Sequence, residues 1–318
     1  MRILVTGGNG FLGVNLAALL STSHSVLLAS RNNKRNLLAQ VATGCRAIPT
    51  DITNIESLRE CILHARPHVI IHAAATKFVD LSELYPSETI EVNVLGSLNV
   101  ARVARELGVS AVIGISTDKA APPCVNTYAL SKAMMERLFV ASDELGSTRF
   151  FCLRYGNVAW STGSVLPVWR SMIRKDNIIS TCGSNMFRYM LRAADAIAYI
   201  EESLRHIDLL GGKIVALDMK SIQISDLLRN VQALTGCQVQ YLPPRQGERF
   251  TEYMVGETEL EFTARAQLGQ FSCYMIDFAN RIQDPHIRLT KSVSAETSPK
   301  LSDDEITSIV GDFWNGND

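Results

Sequence analysis

The residue types that could do chemistry fall in two places. Tyr128 and Lys132 form a Tyr-x-x-x-Lys spacing, four apart and therefore on one face of a helix expected over 127–145. A lysine ammonium near a phenol favours the phenolate, so Tyr128 could take a proton from a substrate hydroxyl while hydride leaves the same carbon for a nicotinamide. Ser116-Thr117 lies upstream at the end of an apolar run, at the carboxyl edge where open α/β sheets bind ligands. The second place is TGGNGFLG (6–13), which holds Gly8, Gly10 and Gly13 as G-x-G-x-x-G and Gly7, Gly10 and Gly13 as a second spacing. Glycines between a strand and a helix allow a tight turn and close backbone approach, so that a pyrophosphate can sit on the helix N-terminus. A glycine-rich turn that binds nothing is the plainer alternative.

After the second apolar run come Ser30, Arg31, Asn32 and Asn33, where an NAD-selective site would place an acidic residue on the ribose hydroxyls. An arginine there can neutralise a 2′-phosphate, which favours NADP over NAD; an exposed loop arginine is the alternative. Asp51-Ile52 falls where such folds hold the adenine ring. The alternative is a helix N-cap, which Thr50 or Thr53 could equally supply.

These residues need a scaffold, and the chain has the rhythm of one. RILVT (2–6), SVLLAS (25–30), HVIIHAAA (68–75), SAVIGIST (110–117) and STRFFCLRYGNV (147–158) are apolar runs of strand length. Stretches long enough for helices separate them, with 54–64 and 88–107 joining 127–145 as candidates. Alternating β and α with fully apolar strands predicts an α/β fold, a doubly wound parallel sheet of Rossmann type covered on both faces. After about residue 158 the rhythm changes, and amphipathic pieces at 193–204 and 221–234 suggest a smaller mixed α/β lobe. The expected division is a nucleotide-binding domain over 1–158, to which later segments can return, a substrate lobe over 159–284, and a tail over 285–318 with a polar, extended start and a final helix.

Composition narrows the partners. The chain has 318 residues, with 31 Lys+Arg against 32 Asp+Glu, so no basic field exists to hold nucleic acid or anionic lipid. The seven cysteines are scattered and never spaced as CxxC, which points to reduced residues of a cytoplasmic protein and to no metal site. No run of some 18 apolar residues predicts a membrane span.

The chain resembles the extended short-chain dehydrogenase/reductases. Within them it is similar to the CapD-like polysaccharide-biosynthesis group that includes inverting UDP-N-acetylglucosamine 4,6-dehydratases, as their short soluble form. The resemblance rests on TGGNGFLG, SRN (30–32), DI (51–52), HAAATKFV (72–79), EVNVLGSLNV (91–100), STDKAA (116–121), RYGNV (154–158), GSVLP (163–167), MFRY (186–189) and RQGERFTEYM (245–254). It implies NADP held by Gly7, Gly10, Phe11, Leu12, Gly13, Ser30, Arg31, Asn32, Asp51, Ile52, Ala73, Ala74, Ala75, Tyr128 and Lys132. It implies that Thr117, Asp118, Lys119, Tyr128 and Lys132 form the catalytic set. Tyr128 and NADP+ would oxidise a sugar at C4; Lys119 would remove the acidified C5 proton, Asp118 would assist loss of the C6 hydroxyl as water, and hydride would return to C6. A desolvated, cation-flanked amine can be neutral enough for that task. A solvated surface pair is the plain alternative for Asp118-Lys119. Lys77, Asn157, Val158, Arg188, Arg245 and Glu248 would line the UDP-sugar side, with arginines clamping the diphosphate. Asn93 is open between a site role and a structural tie to neighbouring backbone, and His72 reads as a buried, hydrogen-bonded residue. Association through helices flanking the sheet implies a homo-oligomer.

The match departs from the family pattern in loops that face substrate. Asp118 and Tyr128 are one residue further apart than usual, with Pro122-Pro123-Cys124 between them; Asp80, Thr162 and Thr251 replace a proline, an arginine and a histidine. The implied activity is a lyase reaction on UDP-N-acetylglucosamine or a related UDP-hexosamine. A nucleotide-sugar 4-epimerase and a non-catalytic NADP-binding sensor are the competing readings.

Overall fold

The computed structural model describes residues 1–244, 247–284 and 286–311. Nine strands form its main sheet: β1 (Arg2–Thr6), β2 (Ser25–Ser30), β3 (Ala47–Pro49), β4 (Val69–His72), β5 (Ala111–Ile115), β6 (Arg149–Arg154), β7 (Ile214–Leu217), β8 (Thr263–Leu268) and β9 (Phe271–Ile276). Their order is β8-β9-β7-β6-β5-β4-β1-β2-β3. Every pairing from β3 to β7 is parallel, and only β9 runs against the rest, antiparallel to both β7 and β8. This is the doubly wound order, and it reverses between β1 and β4.

The apolar runs are two-faced because successive strand residues point to opposite sides. Ile3, Val5, Ile71, Ile113 and Phe151 join one buried cluster, under the helices Phe11–Leu20 and Ala193–Ser203. Leu4, Ile70, Val112 and Phe150 join the other, under Ile55–Ala65, Gly96–Glu106 and Thr127–Asp143. A strand buried on both faces cannot alternate polar and apolar residues, which is why 2–6 and 110–115 read as unbroken hydrophobic runs.

The sheet does not stop at residue 158. β7 to β9 extend it, so later chain returns to the first layer. A third apolar cluster, built on Leu166, Trp169, Ile179, Met190, Leu227 and Val231, forms a separate small lobe. Ile306, Ile309 and Val310 of the helix Asp303–Gly311 complete that cluster. The amphipathic piece at 221–234 begins as a strand, Ser221–Gln223, and turns helical at Ile224. The helix expected over 88–107 carries a π-helical turn, Glu91–Leu95.

Candidate active site

β1 ends at Thr6 and the chain turns sharply through Gly7, whose φ of 70° suits glycine. A Cβ there would lie 2.8 Å from Ala74 Cα, so the glycine also lets the loop after β4 close against it. The helix Phe11–Leu20 starts at Gly10 with no side-chain cap and no acidic residue in its first turn. Its leading N–H groups therefore keep the character of an anion site. Asn9 ties this loop to the end of β2: its backbone N–H donates to Ser30 Oγ at 3.2 Å and its side chain to the Asn32 carbonyl at 3.3 Å. Phe11, Leu12 and Gly13 continue from that loop, Ala73 and Ala75 flank Ala74, and Arg31 is exposed at the tip of β2. The cradle thus fits a dinucleotide.

Neither Thr50 nor Thr53 caps the helix that follows. Asn54 does, accepting from the Glu56 and Ser57 N–H groups at 3.1 Å. Asp51 accepts both the N–H and the hydroxyl of Thr53, at 2.9 and 2.8 Å, and Ile52 is buried beside Gly96.

Across the sheet's carboxyl edge, the turn after β5 carries Asp118 and Lys119. Asp118 is fully buried; its Oδ1 accepts from Lys119 Nζ at 3.0 Å and from the Thr117 hydroxyl at 3.0 Å, while its Oδ2 is buried without a hydrogen bond. Lys119 also lies 3.5 Å from Glu252 Oε1 and from Asn157 Oδ1. Burial disfavours its charge, yet the carboxylates of Asp118 and Glu252 outweigh burial and Arg188 together, so the ammonium is held above its ordinary pKa. This corrects the expectation of a cation-flanked, neutral amine: the flanking groups are mainly anions.

A second correction concerns Tyr128. Lys132 follows it by one helical turn, but its ammonium donates to the Ile115 carbonyl at 2.6 Å and sits 3.0 Å from Met135 Sδ. Burial brings that amine down to about 8. Burial pushes the Tyr128 phenol up to about 12, and the groups acting against this are Lys119 and Thr117. Lys119, the lysine after the acid, is the cation that works toward the phenolate.

Lys119 opens onto a cavity of about 300 Å³ between the sheet edge and the small lobe. Lys77, Asn157, Val158, Arg188, Glu248 and Glu252 share its wall. Five of these six were assigned to the substrate side from motifs; Arg245 lies outside the described residues. Arg188 donates to the Phe187 carbonyl at 2.9 Å, and Asn157 to the Tyr189 carbonyl at 2.9 Å.

Glu252 and Arg249 were missed, although both stand in RQGERFTEYM. The Arg249 guanidinium reaches the carbonyls of Lys119, Ala121 and Pro123 and so gathers the longer loop between Asp118 and Tyr128. Behind the site, Ser116 donates to Glu136 at 2.6 Å, and the fully buried Arg154 pairs with Glu136 and Glu259 at 2.7 and 2.8 Å. Asn93 spans the Thr76 backbone, accepting from its N–H at 2.8 Å and donating to its carbonyl at 3.0 Å, which is the structural alternative. His72 is buried and hydrogen-bonded, as expected.

Residues 3–271 match the family model described as "Polysaccharide biosynthesis protein". The capsular polysaccharide biosynthesis protein CapD of Staphylococcus aureus is 30% identical over 81% of this chain, which spans 45% of that relative's length. The UDP-N-acetylglucosamine 4,6-dehydratase (inverting) of Campylobacter jejuni is 30% identical, covering 82% of this chain and 79% of the relative. The UDP-glucose 4-epimerase of Rickettsia felis is also 30% identical, at 81% and 78%. Among solved structures, Pen from Bacillus thuringiensis superposes with a TM-score of 0.88 and 22% identity, over 98% of this chain and 97% of that one.

Proposed function

Because this chain belongs to the polysaccharide biosynthesis protein family, we propose that it is an NADP-dependent nucleotide-sugar 4,6-dehydratase acting on UDP-N-acetylglucosamine or a related UDP-hexosamine. The observation that carries the reading is Lys119, ion-paired to the fully buried Asp118, opening onto the cavity beside Tyr128's helix. Oxidation and re-reduction at C4, which is all an epimerase needs, uses a tyrosine and a cofactor. Loss of water across C5–C6 needs in addition a base for the C5 proton and an acid for the departing hydroxyl.

In this reading, Gly7 to Gly13 hold the pyrophosphate, Ala73 to Ala75 close over it, and Asp51 and Ile52 border the adenine. Arg31 meets a 2′-phosphate. When bound, the oxidised nicotinamide supplies a hydride acceptor and one further positive charge. Tyr128, with Thr117 and Lys119 beside it, takes the proton of the C4 hydroxyl. With the pair's proton passed from Lys119 to Asp118 across their 3.0 Å contact, Lys119 as free amine removes the C5 proton, and Asp118 as acid protonates the departing C6 hydroxyl, which restores the ammonium and the carboxylate. Lys132, held by the Ile115 carbonyl, serves the cofactor side. Arg188 and Arg245 grip the diphosphate, and Lys77, Asn157, Val158 and Glu248 complete the sugar-nucleotide wall.

The epimerase relative supports a second reading, a 4-epimerase. Incubation with UDP-N-acetylglucosamine in D2O separates them. The dehydratase yields a product without the 6-hydroxyl and with deuterium at C5; an intact 6-hydroxyl with inverted C4 would establish the epimerase. No turnover across several nucleotide sugars would leave a cofactor-binding sensor.

A further inference from the structure

We propose that Glu252 is a positioning residue for Lys119, one that clamps its ammonium opposite Asp118 and governs when the free amine becomes available. The proposal rests on the reading of Lys119 as the C5 base and extends the acid–base machinery to a residue 133 positions along the chain. Glu252 is 3% exposed. Its Oε1 lies 3.5 Å from Lys119 Nζ, and its Oε2 is buried without a hydrogen bond, 3.5 Å from Arg249 Nη1. Its own backbone is anchored, since its carbonyl accepts the Ala295 N–H at 2.8 Å. A carboxylate this deeply buried is retained only where charge repays its desolvation. The charges in reach are Lys119 and Arg249.

Arg249 meanwhile holds the carbonyls of Lys119, Ala121 and Pro123. The segment 249–252 therefore grips the catalytic loop twice, once by backbone and once by charge. The groups that face Lys119 come from every element around it: Asp118 from its own turn, Tyr128 from the helix, Asn157, Arg188 from its strand, and Arg249 and Glu252. Lys77 and Glu248 share the same cavity. Of these, Asp118 and Glu252 are the carboxylates that bridge to the amine within 4 Å, so Glu252 supplies one of the two attractions that hold the proton on Lys119. An opposite charge at such range moves an ionisation by about 1–3 pH units.

The test reads Lys119 directly. Substrate-free full-length protein is treated with a small amine-acylating reagent across a pH series, and modification of the Lys119 peptide is quantified by mass spectrometry. In Glu252→Gln the midpoint moves to lower pH by about 1–3 units, and in Glu252→Asp it falls between that variant and the native protein. Curves that coincide for native protein and either variant overturn the proposal. With substrate, the rising limb of C5 deuterium incorporation shifts the same way in Glu252→Gln; a lower rate with an unmoved limb would mean a merely structural role and would also overturn it. Absence of any turnover would defeat the dehydratase reading instead, while the acylation curves still decide the place of Glu252.

Discussion

His72 offers a quantitative check on how the cofactor edge is built. The ring lies at the carboxyl end of β4, with Nδ1 2.8 Å from the Thr6 hydroxyl and Nε2 3.0 Å from the Ser97 hydroxyl. It thereby links the strand that enters the glycine loop to the helix on the opposite face. Burial, helped by the charge of Lys132, lowers its pKa from 6.5 to about 3. The unfolded chain accepts a proton below the ordinary value and the folded chain does not, so stability falls as pH drops through the window between those values. At pH 5 the folded ring is still neutral, and the loss is set by protonation of the unfolded ring. One and a half units at 1.36 kcal/mol each give about 2 kcal/mol, a large share of a typical folding free energy. Urea unfolding of native protein and His72→Asn at about pH 7.5 and 5 isolates this contribution from the carboxylates that both share. The native protein is expected to lose about 2 kcal/mol more than the variant over that interval. Equal losses would refute a neutral, desolvated ring bridging Thr6 and Ser97.

Other substitutions test the remaining parts of the site. Lys119→Ala should lower dehydration by roughly 10²–10⁴-fold with NADP affinity nearly unchanged; a large loss of cofactor binding in a titration would remove Lys119 from the sugar side. Arg31→Ala should reduce the preference for NADP over NAD by roughly 10-fold or more, the worth of a charge-assisted hydrogen bond, and an unaltered ratio of dissociation constants would refute the phosphate contact. Arg154→Met strands Glu136 and Glu259 in the core, so unfolding free energy should fall by about 3–5 kcal/mol; a loss near that of a surface substitution would mean that this buried triad carries no net charge pairing.

The parts of the molecule legible in the sequence are those whose causes are local. Arg2–Thr6 and Ser25–Ser30 are apolar because both faces of a central strand are covered, and their limits fall at polar or glycine residues, so the strands could be bounded from composition alone. The helix Thr127–Asp143 is marked by Asn126, whose side chain accepts from the Ala129 N–H at 2.8 Å. That later segments return to the sheet was expected, but which ones, β7 to β9, was not legible, because an edge of a sheet is chosen by tertiary packing and leaves little periodic signal in a four-residue strand such as Ile214–Leu217. The strand Ser221–Gln223 was not separated from the amphipathic piece 221–234 for a related reason: Ile222 and Ile224 suit either period, and pairing with Phe187–Leu191 decides between them.

The site divides along the same line. Motifs identified which residues surround the cavity, since Lys77, Asn157, Arg188 and Glu248 all reach it, but they misassigned the electrostatics. The helical spacing suggested that Lys132 would charge the phenol, whereas its ammonium donates to the Ile115 carbonyl, and the cation that acts on Tyr128 is the neighbour of an acid, Lys119. Spacing tells which side chains share a face; it does not tell which acceptor a flexible ammonium will choose once buried. For Lys119 the second carboxylate, Glu252, arrives from a segment that pairs with the tail through Ala295, so no local window could contain both charges. The protonation state of the base is accordingly a property of how the later chain closes on the sheet edge. Substitutions at that closure should therefore alter the pH dependence of the reaction before they alter its bond-making steps.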